Sequence, residues 1–418
     1  HGYGTANKAL AGAGVALPQD ALAPATNPAG ITRLGHRLDL GVALFSPQRK
    51  MTADSDFSSL GPNSFPMEPG SYDSGSNYFL IPNFGYSRPL DDKSAFAIAV
   101  YGNGGMNTDW PNHANPFRGQ NPAACPTTGT YCAGATGVDL MQLFITPTYA
   151  REVDGWSLGA SAILAYQSIE IEGVGSFAGV SNDPTKLSNK GHDSSFGAGV
   201  RLGLLAPLSD AFDFGASFQS KIYMSEFDDY AGLFADKGDF DIPANLTVGI
   251  AVKTSDRSTL LFDIQHIWYS SINAVGNPMM PAFGICGGKK FANPAGAYPE
   301  CLGGGDDSIG FGWDDMTIYK LGYQWETAND WTWRLGYSYG KQPIPASEML
   351  FNILAPGVIE HHFTGGFSKK IGDGQFNFAA MYAPEKTVKG ANPLLPSQTI
   401  ELSMYQFELE ASYTWFFD

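Results

Sequence analysis

The chain has 418 residues, of which 43% are hydrophobic and only 16% charged, with 50 glycines and a formal net charge of -16. So little charge is unusual for a soluble protein, and the acidic balance excludes a nucleic-acid surface, which needs basic stripes against phosphate. No apolar run approaches the length of a transmembrane helix.

In chain order, the residues before about position 36 come first, reading HGYGTANKALAGAGVALPQDALAPATNPAG, and they do not alternate. Asp20 is placed to cap a short helix, and Pro24 and Pro28 act as breakers. Low charge and many small apolar side chains favour packing inside something over a flexible tail. Residues 1–36 are therefore expected to form a plug with short helices.

The remaining chain, 37–418, carries period-two alternation in fourteen segments: approximately 38–45, 77–88, 93–101, 139–151, 155–172, 195–207, 210–222, 242–253, 258–269, 316–326, 330–340, 359–369, 374–385 and 401–417. From Trp331 the odd positions are Trp331, Trp333, Leu335, Tyr337 and Tyr339, and the even ones are polar or small. After Gly155 one face reads Trp156, Leu158, Ala160, Ala162, Leu164, Tyr166. Ten steps of ~3.3 Å at a tilt near 45° span roughly 24 Å, matching the apolar band of a transmembrane barrel with aromatics at its rims. Connections alternate between short ones, such as Arg151 to Gly155 and Lys370 to Gly374, and intervening ones of about 15 to about 46 residues, as periplasmic turns and extracellular loops do. The expected fold is an all-β membrane protein. It is a 14-stranded antiparallel transmembrane β-barrel with both termini periplasmic, a monomer in bacterial outer-membrane lipid.

The four cysteines form two local pairs, Cys125/Cys132 and Cys286/Cys301. Neither pair has the spacing or nearby His of a zinc site, so no metal is expected, nor any other cofactor. Short-range disulfides in an oxidising compartment fit better, although four cysteines permit three connectivities. The chain begins at His1 without a signal peptide and is read as a processed form.

Four stretches carry a family resemblance: KALAGAGVALPQDALAPATNPAG near the N-terminus, IPANLTVGIAV at 242–252, WTWRLGYSYGKQPIP at 331–345 and FNILAPGVIEHHFTGGFSKK at 351–370. In these the chain resembles the FadL family of outer-membrane transporters for long-chain fatty acids and aromatic hydrocarbons. Asn-Pro-Ala alone is not specific, since it recurs at Asn121-Pro122-Ala123 and Asn293-Pro294-Ala295; only Asn27-Pro28-Ala29 has the family context. The resemblance implies a fourteen-stranded barrel closed by an N-terminal hatch, a loop groove that captures ligand, an inner pocket, and lateral exit near strand three. Two features depart from the family pattern: its plug usually starts several residues earlier, and its chains usually end in an aromatic, where this one ends in Asp418 after Phe417.

Candidate residues follow. Pro82 in strand two and Pro147 in strand four flank strand three, which leads into Gly102-Asn103-Gly104-Gly105. Proline removes a ladder donor, and such a glycine-rich run tolerates bulges. Incomplete bonding around strand three would leave an opening, and the family suggests that Asn27, Pro28 and Ala29 control it. The alternative is that each proline aims its missing donor where nothing is lost.

In the longest loop, Met279, Met280, Phe283 and Ile285 form an apolar run suited to ligand capture or simply to lidding the barrel. Arg201, Lys221, Lys320 and Arg334 have lumen-facing phase and could meet a carboxylate. Asp39, Asp213, Asp263, Glu408 and Glu410 share that phase and could neutralise them instead. His361 and His362 point to opposite faces and suit structural hydrogen bonding. Two other function classes compete: an outer-membrane phospholipase, from the spacing of His192 and Ser194, and an open porin, which a plug would contradict. The function expected is passive passage of a hydrophobic small molecule, a long-chain fatty acid first and a hydrocarbon second.

Overall fold

A strand with lipid on one side and a filled lumen on the other must alternate in side-chain character along its length. The computed structural model describes residues 2–61, 64–113, 125 and 127–418, and it follows this rule around a closed ring. Fourteen strands make the wall: β1 (Arg37–Ala53), β2 (Phe79–Asp91), β3 (Ser94–Trp110), β4 (Thr136–Val153), β5 (Trp156–Glu172), β6 (Asp193–Ser209), β7 (Phe212–Gln219), β8 (Asn245–Ser255), β9 (Ser258–Ile267), β10 (Met316–Thr327), β11 (Trp331–Gly340), β12 (His361–Ile371), β13 (Gly374–Asn392) and β14 (Leu395–Phe416). Each pairs antiparallel with its chain neighbours. β14 closes on β1 in one register from Arg37↔Phe416 to Ala53↔Ile400. Two short strands, Gly70–Asp73 and Tyr223–Met224, pair with β1 and β6 outside the ring.

β5 shows the alternation directly. Trp156, Leu158 and Leu164 are about half exposed, whereas Ser157, Ser161 and Ile163 between them are buried. Short turns such as Asp154–Gly155 join strands at one end, with both residues at positive φ. Long loops rise from the other end and pack into an apolar roof that includes Trp110, Tyr131, Phe177, Phe227 and Phe351. Cys125–Cys132 and Cys286–Cys301 are bonded, with Cα separations of 4.8 and 5.1 Å. The Asn121-Pro122-Ala123 tripeptide lies outside the described residues.

The last long connection differs from expectation. In place of a loop between 385 and 401, β13 runs on to Asn392 and β14 begins at Leu395, so a tight hairpin stands above the barrel. Beyond the lipid slab the outer face of a strand is wet. Lys386, Thr387 and Lys389 therefore break the apolar alternation without breaking the strand. For the same reason β1 and β3 run past their expected ends, to Ala53 and Trp110. β7 is shorter than expected and stops at Gln219, and β8 starts only at Asn245, after Pro243.

An epitope inserted between Pro393 and Leu394 should be labelled by antibody on intact cells, and one inserted at Asp154–Gly155 should not. The reverse pattern would invert the sidedness assigned to the barrel.

Candidate functional site

The N-terminal segment lies inside the ring, seated on absent side chains. Its one α-helix is Thr5–Lys8, followed by short 3₁₀ helices at Ala23–Ala25 and Pro28–Arg33. Ala9, Leu10, Ala13, Val15 and Ala16 have no exposed surface. Where the segment touches the wall, the wall residue is repeatedly glycine. A Cβ at Gly85 would lie 2.6 Å from Ala21 C, one at Gly203 2.7 Å from Pro28 Cδ, one at Gly249 2.7 Å from Val15 Cγ1, and one at Gly366 2.8 Å from Ala9 Cβ. Gly159, Gly215, Gly322 and Gly336 meet Pro28, Val15, Leu10 and Leu10 in the same way. Three pairs face each other in register: Gly159↔Gly203, Gly215↔Gly249 and Gly322↔Gly336.

Charge holds what shape admits. Lys8 Nζ lies 2.5 Å from Glu408 Oε1 and 2.6 Å from Glu410 Oε2, both carboxylates being buried. The amides of Gly14 and Val15 donate to Asp263 Oδ2 at 2.8 and 2.9 Å, and that of Ala21 to Asp39 Oδ2 at 2.9 Å. Removing one partner of such a buried pair costs on the order of 3–5 kcal/mol, because the other charge stays desolvated.

Asn27, Pro28 and Ala29 are elsewhere than expected. The Asn27 amide donates to Val15 O at 2.7 Å and Leu204 O at 2.9 Å, and its Oδ1 accepts the Ala29 amide at 3.1 Å. The tripeptide thus docks on β5 and β6, over Gly159 and Gly203, where paired glycines let backbone approach backbone. Strand three is faced by other segment residues: Leu22 and Ala25 pack with Ala99 and Tyr101, and Ala23 and Ile31 with Ala95 and Ala97.

The wall is interrupted beside β3. The β2–β3 register runs from Asp91↔Ser94 to Phe84↔Val100 and stops, although both strands continue. Residues 79–83, including Pro82, stay paired with β1 alone. Gly102 faces this gap, and a Cβ there would lie 3.1 Å from Ile81 Cγ2. On the other side of β3 the register with β4 shifts between Gly102 and Gly104, which leaves Asn103 as a bulge. Gly105 continues the ladder opposite Met141. Pro147 lies in a smaller gap, since the β4–β5 register omits Thr146 and Pro147.

The bulged side chain is wired on both sides. Tyr3 Oη donates to Asn103 Oδ1 at 3.0 Å, Asn103 Nδ2 to Gln142 Oε1 at 2.9 Å, Gln142 Nε2 to Gln167 Oε1 at 3.0 Å, and Gln167 Nε2 to Phe240 O at 2.9 Å.

Three of the four lumen-phase cations are engaged by the protein's own groups. Arg201 donates to the carbonyls of Pro24 and Ala25 and to Gln219, and Arg334 to Gln19 Oε1 at 3.0 Å and Ser368 Oγ at 2.6 Å. Lys320 stands opposite Asp263 across β9 and β10. Lys221 lies just past β7, with Nζ 2.7 Å from Asp241 Oδ2. In the same loop, burial and then the neighbouring Asp241 charge push the Asp239 carboxyl up to about 7.

The capture run divides. Met279 is buried, with its amide donating to Glu348 Oε2 at 2.8 Å. Phe283 lies edge-on to Phe177 at 6.3 Å, while Met280 and Ile285 remain exposed. Phe283 and Ile285 belong to the helix Ala282–Ala292. The larger apolar cluster is the buried roof around Trp110, Tyr131, Phe177 and Phe351, which sequence reading missed because its residues are scattered over several loops without periodicity. Trp110 Nε1 donates to Ile353 O at 2.9 Å and Tyr131 Oη to Leu350 O at 2.6 Å, so these loops are tied together.

His361 bonds Tyr337 Oη at 2.9 Å, and His362 meets Gln406 at 3.0 Å. His192 lies between Asp139 and Glu170, at 3.1 and 3.2 Å, whereas Ser194 Oγ meets Tyr166 Oη at 3.1 Å. The two are thus not arranged as base and nucleophile.

A family model described as outer membrane protein transport protein (OMPP1/FadL/TodX) matches residues 2–355. The fold is similar to the crystal structure of the P. putida toluene transporter TodX, at 18% identity, covering 100% of this chain and 99% of that one, with a TM-score of 0.66. It is also similar to the Ralstonia pickettii toluene transporter TbuX (17%, 100% and 99%, TM-score 0.63). A Pseudomonas aeruginosa FadL homologue matches likewise (16%, 99% and 98%, TM-score 0.68). Among curated proteins no sequence matches. At these identities the structural likeness speaks to the fold.

Gly336→Leu puts a side chain into the space of Leu10 and Ala11. It should unseat the segment and give a sustained ionic current in planar bilayers that the wild type lacks; a folded variant without current would contradict the seating. Asp239 binds its proton more tightly in the folded loop than in the unfolded chain, so its contribution favours folding most at acid pH. That contribution is lost as pH rises from about 4 to about 7. Protease nicking of residues 220–244 should increase across that window, and Asp239→Asn should flatten the dependence.

Proposed function

The chain belongs to the OMPP1/FadL/TodX family of outer-membrane transport proteins, and from that premise we propose that it passes hydrophobic small molecules, long-chain fatty acids first among them, from the loops to a lateral exit beside β3. The family is one of transporters rather than enzymes, and the barrel is an integral outer-membrane protein. The N-terminal segment serves in this reading as a plug, and the protein works as a monomer in lipid.

The observation that carries the proposal is a conjunction at β3. The route along the barrel axis is blocked by a buried, charge-anchored segment, while the β2–β3 ladder stops above Phe84↔Val100. Physical chemistry favours such a path. Burying about 15 methylenes is worth up to ~12 kcal/mol at ~0.8 each, so cargo released into water would leave slowly. The membrane interior offers it another apolar phase. The amide relay from Phe240 to Tyr3 supports a link between the roof, the bulge at Asn103 and the tip of the plug.

A hydrocarbon cargo is the second reading. It is favoured by the engagement of Arg201, Lys221 and Arg334 with the protein's own groups, which leaves none of these three for a carboxylate.

Closing the gap tests the route. The double variant Ile81→Cys, Gly102→Cys should form a disulfide across it. Uptake of labelled long-chain fatty acid by cells should then fall to the level of cells without the protein and return on reduction. Undiminished uptake by the oxidised variant would refute the lateral exit.

A further inference from the structure

At the short-turn end of the barrel the outer wall carries an open groove of about 500 Å³. It lies between the β8–β9 turn and the neighbouring parts of β10 and β11, and its lining includes Arg257, Tyr323, Trp325, Glu326 and Leu335. Register explains its form. Ser258 stands opposite Trp325 and Tyr323 opposite Leu335, while the Glu326 amide donates to the carbonyl of Arg257 at 2.8 Å. The Tyr323 and Trp325 rings stack with centroids 5.6 Å apart, and exposed Leu335 continues this apolar side towards the middle of the slab.

The polar side of the groove carries both signs of charge. The turn hydroxyls brace one another, with Ser258 Oγ 2.8 Å from Thr254 Oγ1 and 2.6 Å from Ser255 Oγ. The Arg257 guanidinium has no hydrogen bond or ion pair among the described residues, although Glu326 lines the same groove. Three other cations of this rim are already taken. Lys253 donates to Asp210 O at 2.8 Å, Arg33 pairs with Asp213 at 3.0 Å, and Lys369 lies over the Trp331 ring at 5.4 Å. A guanidinium fork matches phosphate oxygens, a carboxylate accepts from an ammonium, and rim aromatics sit at the level of lipid headgroups. The combination fits a guest with an anion, a cation and an apolar tail.

We propose that this groove binds a zwitterionic phospholipid of the periplasmic leaflet, phosphate on Arg257, primary ammonium on Glu326, and acyl chain along Tyr323 and Leu335. The short turns face that leaflet, which is built of phospholipid. With Glu326 in the groove and a net charge of -16 on the chain, a head without net charge is favoured over an anionic one. The site lies on the outer wall and does not depend on the transport reading.

The test is native mass spectrometry of the delipidated full chain in detergent, offered phosphatidylethanolamine and phosphatidylglycerol of matched acyl chains in equal amounts. The wild type should retain one phosphatidylethanolamine in preference. Arg257→Met should lower retention of both lipids by about five-fold, the scale of one exposed charge-assisted contact. Glu326→Gln should lower phosphatidylethanolamine alone and so abolish the preference. Arg151→Met, at another short turn, should behave as wild type. Equal retention of the two lipids by the wild type would overturn the proposal, as would unchanged retention by Arg257→Met. A loss in Arg151→Met equal to that in Arg257→Met would show unspecific annular lipid only and would also overturn it. Soluble phosphoethanolamine at the same concentration should not displace the lipid; displacement would assign the groove to a free phosphate ester instead.

Discussion

Everything in this barrel depends on how closely a polypeptide can approach its inner wall. The N-terminal segment fills the lumen because eight wall residues on eight different strands lack a Cβ where it passes, from Gly85 to Gly366. Three of the resulting contacts fall on glycine pairs opposed across neighbouring strands. Close packing without side chains brings backbone amides within reach of wall acids. Asp39 and Asp263 accept them; Asp39 is already paired with Arg37 of the wall, whereas Asp263 would otherwise be a buried carboxylate at considerable cost. Shape therefore comes first and electrostatics follow from it. Lys8 between Glu408 and Glu410 has the same logic, because two buried acids on one strand are tolerable only with a cation supplied by the segment.

In the proposed transport role the segment redirects the route. With the axis filled, apolar cargo held by the loops would have two neighbouring phases, water above and lipid beyond the wall. The wall is least continuous beside β3, where β2 gives up its pairing and Asn103 is extruded as a bulge. Asn103 also belongs to a hydrogen-bonded chain that runs from Phe240 in the loops through Gln167 and Gln142 to Tyr3 at the tip of the segment. Movement of the roof on ligand entry would reach the bulge through hydrogen bonds, with no large displacement of the segment. The proposed transport role thus needs a fixed stopper with a responsive tip.

The sequence made the wall legible because lipid enforces one rule on every strand. Trp331, Trp333 and Leu335 announce their strand without help from any neighbour, and all fourteen strands emerge near their expected places. The rule lapses outside the slab, so the β13–β14 hairpin and the upper parts of β1 and β3 read as loops. Inside the lumen the informative signal was an absence. Gly203 and Gly336 occupy the inward phase of their strands, yet a glycine in a strand suggests weakness before it suggests a seat. Asn27-Pro28-Ala29 stood out as a motif, but its docking on β5 and β6 rather than β3 is tertiary geometry that no local pattern encodes.

The central claim is that cargo leaves through the wall while the body of the segment stays in place. Thr32 Oγ1 and Ser157 Oγ lie 2.8 Å apart, the first on the segment and the second on β5. The double variant Thr32→Cys, Ser157→Cys should therefore lock the segment to the wall by a disulfide while Tyr3 remains free. Uptake of labelled hydrophobic cargo by the oxidised variant is the direct measurement. Uptake at the wild-type rate is the predicted result; uptake that stops on oxidation and resumes on reduction would show that cargo travels along the barrel axis and would contradict the account.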